Sequence, residues 1–137
     1  MGQHEEITMK TTHKDQQTGK QAFLQIIDIV TDYFDGLYHA DVEKLRSIFH
    51  TDSHLQAANM RKDLDTWLTA VASRAVPAKE NHAYKFQIIS IEVIGNEAMV
   101  KVQCPLFAFN YVDYLGLLRE NGRWQIVNKM FADTELN

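Results

Sequence analysis

Apolar residues recur at helical spacing in the first half of the chain. From Lys20 onward they fall at i, i+3, i+4 and i+7, which predicts an amphipathic helix with the stripe Phe23, Ile26, Ile27, Val30, Tyr33, Phe34 and Leu37. Asp41 is a suitable N-cap for a short second helix, and Asp63 for a third helix over 62–74 that carries Trp67. The pattern therefore predicts three helices in the first half of the chain.

The second half has the spacing of strands. Four strand-like runs, 84–94, 97–109, 111–119 and 123–131, follow a short one at 54–58. Asn121-Gly122 predicts a type I′ hairpin, because both residues tolerate positive φ. The apolar set changes face at Ile88-Ile89, which indicates either a long curved strand or a β-bulge. Apolar residues occupy both faces of 98–118, so both faces should be covered, the outer one by a second copy in a homodimer.

Composition narrows the class of protein. The 137 residues predict a flexible polar leader over 1–18 and a single domain over 19–137. A net charge of −4 without a run of Lys or Arg argues against nucleic-acid and membrane partners. The single cysteine, Cys104, suits a reducing compartment and predicts a cytoplasmic location. No apolar run is long enough to span a membrane.

Asp113 is the leading candidate for chemistry. It interrupts a strand that is apolar on both faces, where a carboxylate is costly unless it is paired or hydrogen-bonded. In an apolar pocket its pKa would rise, which suits a general acid or base. The structural alternative is an Asp paired across the sheet or a dimer interface with Arg119, Arg123 or Lys129.

Other residues are candidate helpers or walls of a pocket. His54 follows the second helix and could transfer protons at the mouth of a pocket, or be a half-exposed turn residue. Tyr33 is a second catalytic helper on the first helix. The candidate ligand-binding residues, for which ordinary core or backbone contacts are the alternative, are Tyr38, Trp67, Phe107, Tyr111 and Asn128. The sequence contains no recognised cofactor or metal motif, so we expect neither a cofactor nor a metal.

Three segments resemble the nuclear transport factor 2-like superfamily, and within it the SnoaL-like and lumazine-binding group. They are YFDGLYHADVEKLRSIFHTD at 33–52, YVDYLGLL at 111–118 and ENGRWQIVNKMFAD at 120–133. The resemblance implies an α+β cone in which a curved, mostly antiparallel sheet wraps three N-terminal helices around an internal pocket. It also implies that the outer sheet face often forms a dimer.

The fold leaves two functions open, since its members include both enzymes and binding modules. The first is a protein that binds a small apolar or aromatic ligand and acts as a cofactor-free isomerase, dehydratase or cyclase. There Asp113 would be the acid or base, with His54 and Tyr33 as helpers. The second is a non-catalytic ligand-binding or dimeric interaction module of the same fold.

Overall fold

The first helix begins at a capping box. The computed structural model describes residues 18–134, so the predicted leader lies outside the described residues up to residue 17. Helix α1 spans Gly19–His39; the side-chain oxygen of Thr18 accepts from the amide of Gln21, whose side chain accepts from the amide of Thr18. The helix ends at Ala40 in the left-handed region, with φ of 50°.

Two shorter helices, α2 (Val42–Ile48) and α3 (Leu64–Ser73), complete the helical layer. Asp41 and Asp63 accept hydrogen bonds from first-turn amides, at 3.1 and 2.8 Å, so both predicted N-caps are confirmed. Gly36 allows α1 to approach α2, because a Cβ there would lie 2.6 Å from the side chain of Leu45.

Within residues 18–134, six strands form one curved sheet, in which β1 and β6 are parallel and the other neighbouring pairs are antiparallel. Its spatial order is β2-β1-β6-β5-β4-β3. The strands are β1 (Phe49–Ala57), β2 (Met60–Asp63), β3 (Gln87–Ile94), β4 (Glu97–Leu106), β5 (Phe109–Glu120) and β6 (Arg123–Thr134). Together with the three helices, this is the α+β cone that the sequence predicted.

The sequence interpretation missed part of the sheet near β1. That strand spans Phe49–Ala57 and so begins five residues before the short strand predicted at 54–58, and β2 follows where the third helix was expected to begin. Few residues of these two strands are apolar, and only Phe49, Ser53 and Leu55 among them are buried, so the apolar pattern is weak there. The strand predicted over 84–94 begins later than expected. Tyr84 and Phe86 precede β3, and their rings contact aromatic rings of α1 instead.

The predicted hairpin is present, and of the two explanations for the change of face at Ile88-Ile89 the structure contains the bulge. Asn121 and Gly122 have φ of 52° and 76° between β5 and β6, as a type I′ turn requires. The β3–β4 register shifts between Ile88 and Ser90, so Ile89 is the extra residue of a bulge. A second bulge was not predicted: β6 gains an extra residue at Val127, where the β5–β6 register shifts.

The helices cover one face of the sheet, which we call the inner face. Tyr33, Trp67 and their helix stripes are buried against it. Its buried residues on the three long strands are Ala98, Val100, Val102, Cys104, Leu106, Asp113, Leu115, Leu117, Trp124, Ile126 and Lys129. The outer face carries large apolar side chains that are 43% exposed: Met99, Tyr114 and Met130. Within residues 18–134, no helix is long and apolar enough to cross a membrane.

Candidate functional site

A cavity of about 170 Å³ lies between the helices and one end of the inner face; we call it the central cavity. Exposed Ala70 is part of its lining, so the cavity reaches the surface beside α3. Its polar lining consists of Lys62, Arg74, Cys104, Tyr111, Asp113 and Lys129. Its apolar lining consists of Leu37, Met60, Trp67, Ala70, Leu106 and Phe131. A small space that combines charged groups with aromatic walls is typical of a ligand site.

Asp113 lies on the wall of the central cavity and is 2% exposed. Its Oδ2 accepts a hydrogen bond of 2.6 Å from the Tyr33 hydroxyl on α1. Its Oδ1 is buried and has no hydrogen-bond partner among the described residues. Burial, followed by the neighbouring carboxylate, raises the pKa of Tyr33 well above its usual 10.0, so this hydroxyl stays protonated and donates at neutral pH.

Lys129 enters the same cavity from β6 and is 7% exposed. Its Nζ lies 4.4, 5.2 and 5.4 Å from the ring centroids of Trp67, Phe131 and Tyr33. Such ring faces attract an ammonium group. Burial nevertheless lowers the pKa of Lys129; the Asp113 carboxylate opposes that effect, and other cations nearby add to it.

Arg74, directly after α3, and Lys62, on β2, bring two more positive charges to the lining. The Nε and Nη2 atoms of Arg74 are buried without a hydrogen-bond partner in residues 18–134. Burial lowers the pKa of this guanidinium, which still remains charged because an arginine is not deprotonated in proteins. Three basic side chains thus face one carboxylate, and the cavity can attract an anion.

Cys104 is a buried thiol in the same lining, 1% exposed. Burial, with a contribution from the charge of Asp113, raises its pKa well above the usual 9.0. Because the thiolate is the reactive form, this environment keeps the sulfur unreactive. Cys104 therefore acts as part of the wall.

Four of the residues singled out from the sequence meet at the central cavity. Asp113 and Tyr33 are hydrogen-bonded to each other, and Trp67 and Tyr111 line the space beside them. Asp113 and the residues on its side of β5 face the interior, as predicted. The roles of these residues stay proposals.

The other four candidates lie elsewhere. His54 is exposed on β1 and is not part of the cavity lining, so its role in proton transfer stays a prediction. Tyr38 donates from its hydroxyl to the carbonyl oxygen of His82. Phe107 lines a separate groove, which it shares with His82. Asn128 accepts from the Gln56 amide and lies beside Gly116 on the outer face.

The bulge at Val127 explains why Asn128, expected in the pocket, lies on the outer face and why Lys129 lies on the inner face. Leu117 pairs with Ile126, but the next residue of β5, Gly116, pairs with Asn128. The extra residue moves Asn128 outward and Lys129 inward. Strict alternation along β6 groups Asn128 with the inward Ile126, so the sequence pointed to Lys129 only as a possible ion-pair partner of Asp113 and not as part of a cavity lining. Arg74 was missed because it follows α3, outside the helical stripe.

The described chain contains no group of three or more His, Cys, Asp or Glu side chains that could hold a metal ion.

Comparison with known sequences places the chain in a family. The sequence profile described as "Putative lumazine-binding" matches residues 21–132. The chain belongs to this family. No curated protein sequence is significantly similar to this member of the lumazine-binding family.

Solved structures share the fold. A protein of unknown function from Shewanella baltica OS155, described as NTF2-like (nuclear transport factor 2-like), is 21% identical with a TM-score of 0.77 and covers 88% of this chain and 99% of its own. Another from Silicibacter pomeroyi DSS-3 is 18% identical with a TM-score of 0.72, covering 86% and 100%. A cystatin-like protein of unknown function from Nostoc punctiforme is 15% identical with a TM-score of 0.63, covering 87% and 95%. These likenesses establish the NTF2-like fold.

Proposed function

We propose that this protein binds a small, mostly apolar or aromatic molecule with one acidic group in the central cavity, and that Asp113 exchanges a proton with it. The position of Asp113 carries the proposal. One of its carboxylate oxygens is held by the Tyr33 hydroxyl, and the other is buried without a partner among residues 18–134. A carboxylate placed in this way is costly for folding, which favours a functional role.

The size and walls of the cavity favour a ligand of about one ring. A volume of about 170 Å³ is close to the roughly 150 Å³ of an engineered cavity in another protein that holds benzene. Trp67, Tyr111 and Phe131 offer flat apolar surfaces for such a ring. The family description names lumazine, a flat heterocycle of two fused rings; these flat walls suit the faces of such a ring system, while the volume favours a smaller one.

The charges of the lining support an acidic group on the ligand. Lys62, Arg74 and Lys129 outnumber the single carboxylate of Asp113. A guanidinium presents its donors in a plane that matches a carboxylate, and two of the Arg74 nitrogens lack a partner among the described residues. We therefore assign the acidic group of the ligand to Arg74.

Proton transfer follows from the pair of Asp113 and Tyr33. The carboxylate removes a proton from a carbon next to a carbonyl group, while the Tyr33 hydroxyl orients it from the other side. The positive charge of Arg74 stabilises the anion that forms. A positioned base of this kind contributes roughly 100- to 10,000-fold to a rate. Isomerisation, dehydration and cyclisation are reactions of this class that need no cofactor.

Binding is tested with benzoate and its neutral counterpart benzamide as probes. In a nitrogen–proton NMR titration, the indole N–H of Trp67 should shift with benzoate, while that of Trp124, which does not line the cavity, serves as the internal control. Arg74→Gln should weaken benzoate binding by about 10- to 100-fold, the loss of one charge-assisted hydrogen bond. Equal binding of both probes, unaffected by the substitution, would contradict the acidic ligand.

Proton transfer is tested by following deuterium incorporation from D2O into the methyl group of pyruvate. The wild-type protein should accelerate this exchange, and Asp113→Asn should lower the acceleration by roughly 100- to 10,000-fold. Because Asn keeps the shape of the side chain, the thermal melt of the variant should change little. Benzoate binding without any such acceleration would instead favour the non-catalytic ligand-binding module.

We also propose that a second copy covers the outer face of the sheet. Met99, Tyr114 and Met130 lie on neighbouring strands there, each 43% exposed. The same face carries Glu97 and Lys101, so two copies related by a twofold axis can match charges of opposite sign. Met99→Lys should weaken the dimer, whereas Leu24→Lys, on exposed helix surface, should not. A monomeric mass of the wild type in sedimentation at micromolar concentration would refute the dimer.

A cytoplasmic location is part of the same proposal. Its support is the single cysteine, which suits a compartment that keeps thiols reduced. Recovery of the native protein only outside the cytoplasm in cell fractionation would contradict it.

A further inference from the structure

Lys129 is the one basic residue of the central cavity that is fully enclosed. It is 7% exposed, whereas Lys62 and Arg74 are only partly buried. No carboxylate oxygen of the described residues lies within 4.0 Å of its Nζ, since the ion pair among those residues joins Arg46 and Asp65 on the helices. Burying an ammonium without a paired carboxylate is unfavourable for folding. Its position therefore calls for an explanation beyond stability.

The bulge at Val127 sets where Lys129 lies. After the bulge, Lys129 pairs with Leu115, and Phe131 pairs with Asp113, so Lys129 and Asp113 are diagonal neighbours on the inner face. Diagonal neighbours are within reach of long side chains. Both also contact Tyr33: its hydroxyl bonds to Asp113, and its ring lies 5.4 Å from the Lys129 Nζ. An amine and a carboxylate thus share one small space without forming an ion pair.

The surroundings raise the fraction of uncharged amine at Lys129, which is the nucleophilic form. Burial is the largest effect that lowers the pKa of Lys129. Titratable groups from several elements act on it: Asp113 on β5 and Cys104 on β4 raise the pKa, while Arg74 after α3 and Lys62 on β2 lower it. A desolvated lysine beside other cations is a known way to activate an amine towards carbonyl groups.

We propose that the Nζ of Lys129 forms an imine with the carbonyl group of a small molecule bound in the central cavity. The lone pair of the amine forms the C–N bond, the carbonyl oxygen takes up the two protons that the nitrogen loses, and it leaves as water. Asp113 transfers these protons between nitrogen and oxygen. The step is a condensation that involves no oxidation or reduction.

The proposed function narrows the class of carbonyl compound. If Arg74 holds an acidic group of the ligand, the carbonyl compound is a small keto acid. This choice of compound rests on the proposed function. An imine would also acidify the neighbouring carbon, from which Asp113 removes the proton. The two inferences then describe one reaction, in which the protonated imine withdraws electrons from the neighbouring carbon and the carboxylate acts as the base.

The test is reductive trapping with pyruvate as the charged probe and acetone as the neutral one. Sodium cyanoborohydride supplies the hydride that converts the imine into a stable amine. Intact-mass and peptide analysis should find the reduced pyruvate adduct mainly at Lys129, in clear excess over the adduct at exposed Lys79. Lys129→Arg should remove this adduct and leave the surface adducts unchanged.

Site mapping on the wild type decides the proposal even if a variant at Lys129 fails to fold. Adducts distributed over surface lysines in proportion to exposure, or concentrated at Lys62, would overturn the imine. If benzoate binds but pyruvate is not trapped at Lys129, the imine is wrong and the binding proposal stands. If acetone is trapped at Lys129 as well as pyruvate, and Arg74→Gln changes neither, the imine stands and the assignment of the acidic group to Arg74 is wrong.

Discussion

The inner face of the sheet has two ends that are equally buried and chemically opposite. At the closed end, Leu117, Trp124 and Ile126 are between 0% and 4% exposed and pack beneath the helices as ordinary core. At the open end, Asp113 and Lys129 are 2% and 7% exposed, and they line a cavity. Burial alone therefore does not make a residue structural. A fold places costly polar groups in its interior where function requires them.

The change from one end to the other occurs on β6 at its bulge. Before Val127 the inward residues are apolar, and the first inward residue after it is Lys129. A bulge lets one strand present core residues at one end and a charged group at the other, without changing its partners. Bulges often lie next to active sites for this reason.

The boundary between the two ends should show the largest effect. Trp67 is 6% exposed, its ring lies 5.2 Å from Phe49 and 4.4 Å from the Lys129 Nζ, and it lines the cavity. Trp67→Ala should lower the free energy of unfolding by about 3–5 kcal/mol if the ring acts as packed core. A thermal melt with almost no shift would show instead that Trp67 serves mainly as a ligand contact.

The closed end should respond as a core without function. Leu117→Ala removes a side chain that is 1% exposed and should cost about 2–5 kcal/mol, measured by urea denaturation. Benzoate binding by the folded fraction should stay unchanged. A change in binding larger than the change caused by Arg74→Gln would erase the distinction between the two ends.

The open end should lose less stability and more function. Tyr33→Phe removes the donor to Asp113 and leaves a buried carboxylate without that hydrogen bond. We expect a loss of about 1.5–3 kcal/mol, the range for a hydrogen bond to a charged group. Deuterium exchange into pyruvate should fall as well. If stability falls while exchange is unaffected, Tyr33 is a structural partner of Asp113 only.

The smallest effect is a dependence on pH. In the folded chain burial holds the pKa of Lys129 below its usual 10.5, so between the two values the unfolded chain binds more protons. The free energy of unfolding should therefore rise with pH in that window, by at most about 1.4 kcal/mol per unit. Lys129→Met should lack this rise. The raised pKa values of Tyr33 and Cys104 make stability fall with pH in both proteins, so the difference between wild type and Lys129→Met isolates the effect of Lys129. If the stability of both proteins changed with pH in parallel, a lowered pKa of Lys129 would be contradicted.

The elements of the fold could be predicted because they depend on local chemistry. The stripe around Tyr33 and the caps at Asp41 and Asp63 follow from helical spacing and from amides that need acceptors. The hairpin at Asn121-Gly122 follows from backbone conformations that few residues tolerate. Asp113 was identified for a similar reason, since a carboxylate in an apolar strand stands out in any sequence.

Only the tertiary structure decided which partners Asp113 meets. The bulge at Val127 depends on pairing with β5, and one extra residue exchanges the faces of Asn128 and Lys129. Arg74 reaches the cavity because α3 ends beside it, which no periodicity records. Residues far apart in sequence meet only when the sheet curves around the helices. The sequence alone therefore determines the elements and one member of the site, and the packing of those elements determines the rest.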